Sequence, residues 1–153
     1  MSEPSRRLRV LLDTNVLVSY LLAPHGRTGW FADILQQALS RTFTILLPSE
    51  MERELVAVVQ RKPYLRERIR DHALRQLFDD LALVAQPVSP LDGDIARVVR
   101  DERDDYLMAY ALAYDVDVLV SGDKDLLALS AQFDRPRIVT VRAFLDELEA
   151  ARD

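Results

Sequence analysis

The chain contains no cysteine, so disulfide staples and thiolate metal sites are excluded. That composition suits a reducing cytoplasm. Histidine is nearly as scarce: His25 and His72 are the only two, and neither has the spacing of a zinc site. The four glycines, Gly26, Gly29, Gly93 and Gly122, form no phosphate-cradling loop, and no serine sits in a nucleophile elbow. Long apolar runs are missing too. The polar start Met1–Arg7 leads into an apolar run that stops at Asp13, too short for a signal-peptide core or a membrane span.

What is present is acid, and its distribution is uneven. The net charge of −5 argues on its face against nucleic acid. Residues 61–75 nevertheless hold six basic residues against two acidic ones, a local +4. Residues 92–125 hold ten acids against four bases, a local −6. One stretch suits phosphates and the other divalent cations, although Glu67 and Asp71 also let the basic stretch be read as a solvated helix face.

With 153 residues, 49% of them hydrophobic, the chain suits a single domain with a proper core. Short apolar segments at 8–12, 43–47, 82–86, 117–121 and 137–140 are expected as buried parallel strands. Helical patterns lie near 15–23, 28–40, 49–60, 64–80, 92–101, 105–114, 124–129 and 141–150. Met51, Leu55, Val58 and Val59 make one apolar stripe; Trp30, Ile34, Leu35, Ala38 and Leu39 make another. Pro63 and Pro87 are expected to close elements. Alternating strands and helices predict a doubly wound α/β sandwich. The segment 105–114 is apolar nearly all round and is expected at the domain centre.

In such a sheet, ligands bind beyond the carboxyl ends of the strands. Val10-Leu-Leu-Asp13-Thr-Asn15 and Val118-Leu-Val-Ser121-Gly-Asp123-Lys-Asp125 each run an apolar strand into acids. Glu54, mid-helix beside the apolar stripe, and Asp104 or Asp105, ahead of the apolar helix, complete a set of four carboxylates from four elements. Packed together without a cation they would repel, and some would stay protonated. Mg²⁺ or Mn²⁺, which take oxygen ligands, resolve this. Each acid also has a plainer role. Glu54 can pair with Arg53 or Arg61, Asp125 can be a first-turn helix acid, and Ser121, Thr14 and Asn15 can cap.

At these residues the chain resembles the PIN-domain proteins found as VapC-like toxins of bacterial and archaeal toxin–antitoxin pairs. Leu-Leu-Asp13-Thr-Asn15-Val-Leu is similar to that family's first acidic motif, and Pro48-Ser49 with Glu54-Leu55 to the second. Asp101 to Ala111 is similar to the third, and Val120-Ser-Gly-Asp123-Lys-Asp125-Leu-Leu to the fourth. The likeness spans roughly residues 8–145. It implies a three-layer α/β/α sandwich with a central parallel sheet of about five short strands, and a Mg²⁺- or Mn²⁺-dependent ribonuclease. An antitoxin partner and a homodimer are implied as well. Alignment through the Ala-rich helix places the third acid at Asp105, whereas the subgroup ending in Ser-Gly-Asp-Lys has it at the place of Asp104; Asp101 and Asp125 are secondary.

The expected activity is therefore endoribonuclease. Asp13, Glu54, Asp104 or Asp105, and Asp123 would hold the metal, with Asn15 and Ser121 in support. Arg61 and Lys62 would guide the RNA backbone. Two rivals remain. A haloacid-dehalogenase-like phosphatase would use Asp13 as nucleophile but wants an aspartate where Asn15 stands. A non-catalytic binding module would use the apolar surface around Trp30 and Phe31.

Overall fold

A computed structural model describes residues 7–23, 29–89 and 106–152. Its frame is a five-stranded, fully parallel sheet: β1 (Leu8–Leu12), β2 (Phe43–Pro48), β3 (Ala85–Val88), β4 (Val118–Val120) and β5 (Arg137–Val139). Helices flank it: α1 (Thr14–Leu22), α2 (Gly29–Leu39), α3 (Met51–Arg61), α4 (Pro63–Arg68), α5 (Asp71–Val84), α6 (Tyr106–Ala113), α7 (Lys124–Leu129) and α8 (Val141–Arg152). The expected α/β architecture is the observed one. The expected helix at 92–101 lies outside the described residues.

The strand order is β3-β2-β1-β4-β5. From β1 the chain winds outward to β2 and β3, then returns to β1's other side for β4 and β5. The order reverses between β1 and β4, and at such a reversal the connections leave in opposite directions and open a crevice. β1 is central, with Val10 and Leu11 fully buried, and every residue of β4 is buried as well.

Three expectations need correction. The pattern at 64–80 is two helices, α4 and α5, separated by extended backbone at Ile69 and Arg70. The reason lies in phase. Counting about 100° per residue, Leu65 and Ile69 would fall on nearly the opposite side of a continuous helix from Leu74, Leu77, Phe78 and Leu81. All six are buried, and the break turns both stripes inward. The helix then runs on to Val84, so the strand expected at 82–86 begins only at Ala85. Pro87 lies inside β3, paired with Leu47, instead of closing the element. A proline is tolerated there because β3 is an edge strand, whose missing N–H need not meet a neighbour.

The other stripes pack largely as expected. Met51, Leu55 and Val59 are buried on α3, and Ile34 and Ala38 on α2, although Leu39 is 67% exposed. Leu107 through Ala111 of α6 are all buried, so that helix does run through the interior. Phe31 is also buried and stacks on Tyr20 with ring centroids 4.1 Å apart, so it belongs to the core and not to an open interface.

Candidate active site

Asp13 and Asp123 leave the sheet at the β1/β4 reversal. The register pairs Leu12 with Val120, and the Asp13 N–H donates to the Val120 carbonyl at 2.9 Å, so the two strands end side by side. Ser121 follows β4 immediately and is fully buried. Its hydroxyl donates to Asp13 Oδ2 at 2.6 Å, and its oxygen accepts the Asp123 N–H at 3.0 Å. One hydroxyl thus fixes the carboxylate of one strand and the backbone that carries the other carboxylate.

Burial pushes the Asp13 carboxyl above its ordinary range. The Ser121 hydroxyl and the N–H groups of Thr14 and Asn15 pull it back down, while the negative charge of Asp123 adds to the rise. Among the described residues no basic side chain forms an ion pair with either aspartate.

Asp123 also has a structural task. It stands at the N-cap of α7, and its Oδ1 accepts the Asp125 N–H at 2.8 Å. Asp125 is exposed in the first turn of that helix, the plainer of its two expected roles. Asn15 reaches Asp13 through its backbone N–H, while its side chain is engaged elsewhere. Its Oδ1 accepts the Gly122 N–H at 3.2 Å, which straps the first turn of α1 to the segment leaving β4.

Glu54 lies on α3 and is exposed. With Glu50, Arg53 and Ala57 it lines a shallow cavity of about 350 Å³. Among the described residues no three acidic or histidine side chains are grouped to hold one metal ion, so Glu54 is not gathered with Asp13 and Asp123. Asp101, Asp104 and Asp105 lie outside the described residues. Arg61 and Lys62 are exposed where α3 gives way to α4.

Sequence reasoning missed Glu50. The buried Tyr110 of α6 donates its hydroxyl to Glu50 Oε1 at 2.9 Å. Burial first, and then the Glu50 carboxylate, push the Tyr110 phenol up to about 12. This bond ties the start of α3 to the helix that follows the acidic stretch 101–105. The signal was available: Glu50 lies four residues before Glu54, so the two share one helix face.

A family model for the PIN domain matches residues 9–125, and the chain belongs to that family. PIN domains are generally nucleases. The chain is 24% identical over 152 residues to Uncharacterized protein MJ1680 of Methanocaldococcus jannaschii, covering 94% of this chain and 93% of that protein. The crystal structure of PAE2754 from Pyrobaculum aerophilum is similar with a TM-score of 0.60 and 21% identity, covering 94% of this chain and 90% of that one. That likeness concerns the fold.

Proposed function

We propose that the protein is a Mg²⁺- or Mn²⁺-dependent endoribonuclease, the toxin of a toxin–antitoxin pair, acting in the cytoplasm as one catalytic domain over residues 8–145. The observation that carries this reading is the Asp13–Ser121–Asp123 arrangement at the strand-order reversal of a PIN-family sheet.

The donor chemistry fits a hard cation. Asp13 and Asp123 offer oxygen only, and Mg²⁺ is commonly held by one or two carboxylates together with waters and substrate phosphates. Asp13 is a half-buried carboxyl beside a second acid, and among the described residues no cationic side chain pairs with either, an arrangement that a cation relieves. In this reading Asp13 and Asp123 are the ligands that converge among the described residues, Asp104 or Asp105 completes the set, and Glu54 and Asp125 flank it. A divalent ion held there supplies Lewis-acid polarisation of the phosphodiester and a nucleophile at neutral pH.

The chain's own residues prepare that chemistry. Ser121 holds Asp13 Oδ2 so that the carboxylate keeps one orientation. The Asp125 N–H does the same for Asp123 Oδ1. Asn15 and Gly122 lock the two strand exits at a fixed separation. The antitoxin, a homodimer and the RNA-guiding role of Arg61 and Lys62 belong to the same proposal.

The test is cleavage of single-stranded RNA with Mn²⁺, with and without EDTA, by wild type and Asp13→Asn. Wild type cleaves only with metal, and the variant loses activity by about a hundredfold or more. Equal cleavage by both proteins removes the proposal. No described helix is long and apolar enough to cross a membrane.

A further inference from the structure

The basic stretch 61–75 is resolved by the fold into residues that converge and residues that do not. Arg68, Arg70 and His72, at the junction of α4 and α5, line a cavity of about 660 Å³ together with Tyr20 and Leu22 of α1 and Gln76 of α5. None of the described residues lining it is acidic; Glu67 and Asp71 lie outside the lining. In a chain of net charge −5, this is a concentrated patch of positive charge.

Its components are held ready. The Arg68 guanidinium lies 3.8 Å over the centre of the Tyr64 ring and donates to the Tyr64 carbonyl at 3.2 Å. Arg70 is exposed, and no side-chain partner for it occurs among the described residues. Tyr20, which lines the same cavity, is braced by Phe31, stacked at 4.1 Å, and by Trp30, edge-on at 6.1 Å. Cations that share a cavity with a braced aromatic ring suit a strand whose phosphates are anionic and whose bases are free to stack. The flat surface of a duplex does not enter such a hollow.

The cavity stands at the right end of the molecule. The C-terminal turn of α5, at Leu83 and Val84, lines a hollow with Arg7, Phe43 and Thr44, at the N-terminal ends of β1 and β2. The opposite end of α5, with His72, is therefore directed toward the strand ends that carry Asp13 and Asp123. Along α1, Tyr20 to Leu22 lie about 10–14 Å from Asp13, at 1.5 Å per residue. A few nucleotides of single strand span that distance.

We propose that this cavity is a binding subsite for single-stranded nucleic acid, in which Arg68 and Arg70 hold backbone phosphates and Tyr20 stacks a base a few nucleotides from the scissile bond. The subsite rests on the nuclease reading above for its purpose, though not for its chemistry. It differs from Arg61 and Lys62, which do not line the cavity.

The test uses the full chain carrying Asp13→Asn, in EDTA, with a fluorescently labelled single-stranded oligoribonucleotide and anisotropy as readout. Arg68→Gln with Arg70→Gln weakens binding roughly tenfold at moderate salt and flattens the dependence of log K on log salt by about 0.7 per lost phosphate contact. Arg70→Gln alone, a safer change for folding, loses one contact and flattens the slope by about 0.7. Tyr20→Leu weakens binding by about fivefold or more without changing the salt slope. Arg75→Gln removes the same charge outside the cavity and leaves both quantities unchanged. Binding that is indifferent to Arg68, Arg70 and Tyr20, or no RNA binding at all, overturns the subsite. So does preference for a poly-glutamate peptide over RNA, which would assign the cavity to an acidic protein partner. In parallel, wild type is assayed for Mn²⁺-dependent cleavage. Cleavage with an unchanged KM in the double variant sinks the subsite and leaves the nuclease. Arginine-dependent RNA binding without any cleavage sinks the nuclease and leaves the subsite.

Discussion

Ser121 shows how much one small side chain decides. It is fully buried, yet its hydroxyl is satisfied twice, by Asp13 Oδ2 and by the Asp123 N–H. Replacing it with alanine removes the bond that lowers the Asp13 pKa and leaves burial and the Asp123 charge opposing ionisation. For Ser121→Ala we expect Mn²⁺ affinity to fall about ten- to a hundredfold, the usual range when the group orienting a ligand is lost. The pH at which affinity is half-maximal should move upward. Calorimetric titration at a series of pH values reads both effects. Unchanged affinity would reduce Ser121 to a strand-end cap. The sequence pointed to Asp13 and Asp123 because each ends an apolar strand, but not to the double use of Ser121. That use requires β1 and β4 to be neighbours, and they are 108 residues apart.

At the scale of elements, the contact of α6 with the start of α3 is the one most open to measurement. Tyr110 anchors a helix whose inward residues are otherwise apolar. Its phenol is raised from 10.0 to about 12, so the fold favours the neutral form. That contribution is fully present below pH 10 and is lost as pH climbs through about 12. Tyr110→Phe should lower stability at neutral pH by about 1 kcal/mol, as expected for a hydrogen bond to a partly solvated carboxylate. It should also remove this share of the alkaline loss, so wild-type and variant stabilities converge toward pH 12. Urea unfolding at pH 7, 10 and 11.5 (spanning about the free and shifted phenol values) tests both points, and parallel curves for the two proteins would refute the assignment. Element positions were mostly legible because apolar stripes and strand runs are local patterns. The α4–α5 break was not read, although the phase jump between Ile69 and Leu74 was there in the spacing. Nothing local marks it as a break, since Arg70 and Asp71 are ordinary helix residues.

For the whole molecule, the crevice at the strand-order reversal couples folding to charge. Burial and Asp123 raise the Asp13 pKa above its ordinary 3.8, so the ionised carboxylate destabilises the metal-free fold. Stability from this group falls as pH rises from 3.8 through the folded-state value. Without metal, Asp13→Asn should therefore melt above wild type near neutral pH, with the gap closing as pH falls toward 3.8. At Mn²⁺ a hundredfold above Kd, wild type should gain about 5–10 °C in Tm and the variant little. A calorimetric scan showing equal Mn²⁺ shifts in both would place metal binding elsewhere. The sequence by itself determined the alternation of strands and helices, the acids that end β1 and β4, and the burial of α6, because periodicity and strand-end chemistry are written within a few residues. Tertiary structure alone decided that β1 and β4 are adjacent, that Glu50 meets Tyr110, and which arginines of the basic stretch line one cavity with Tyr20. Those pairings join residues 48 to 108 positions apart, and they depend on how the chain crosses the sheet, which no local pattern encodes.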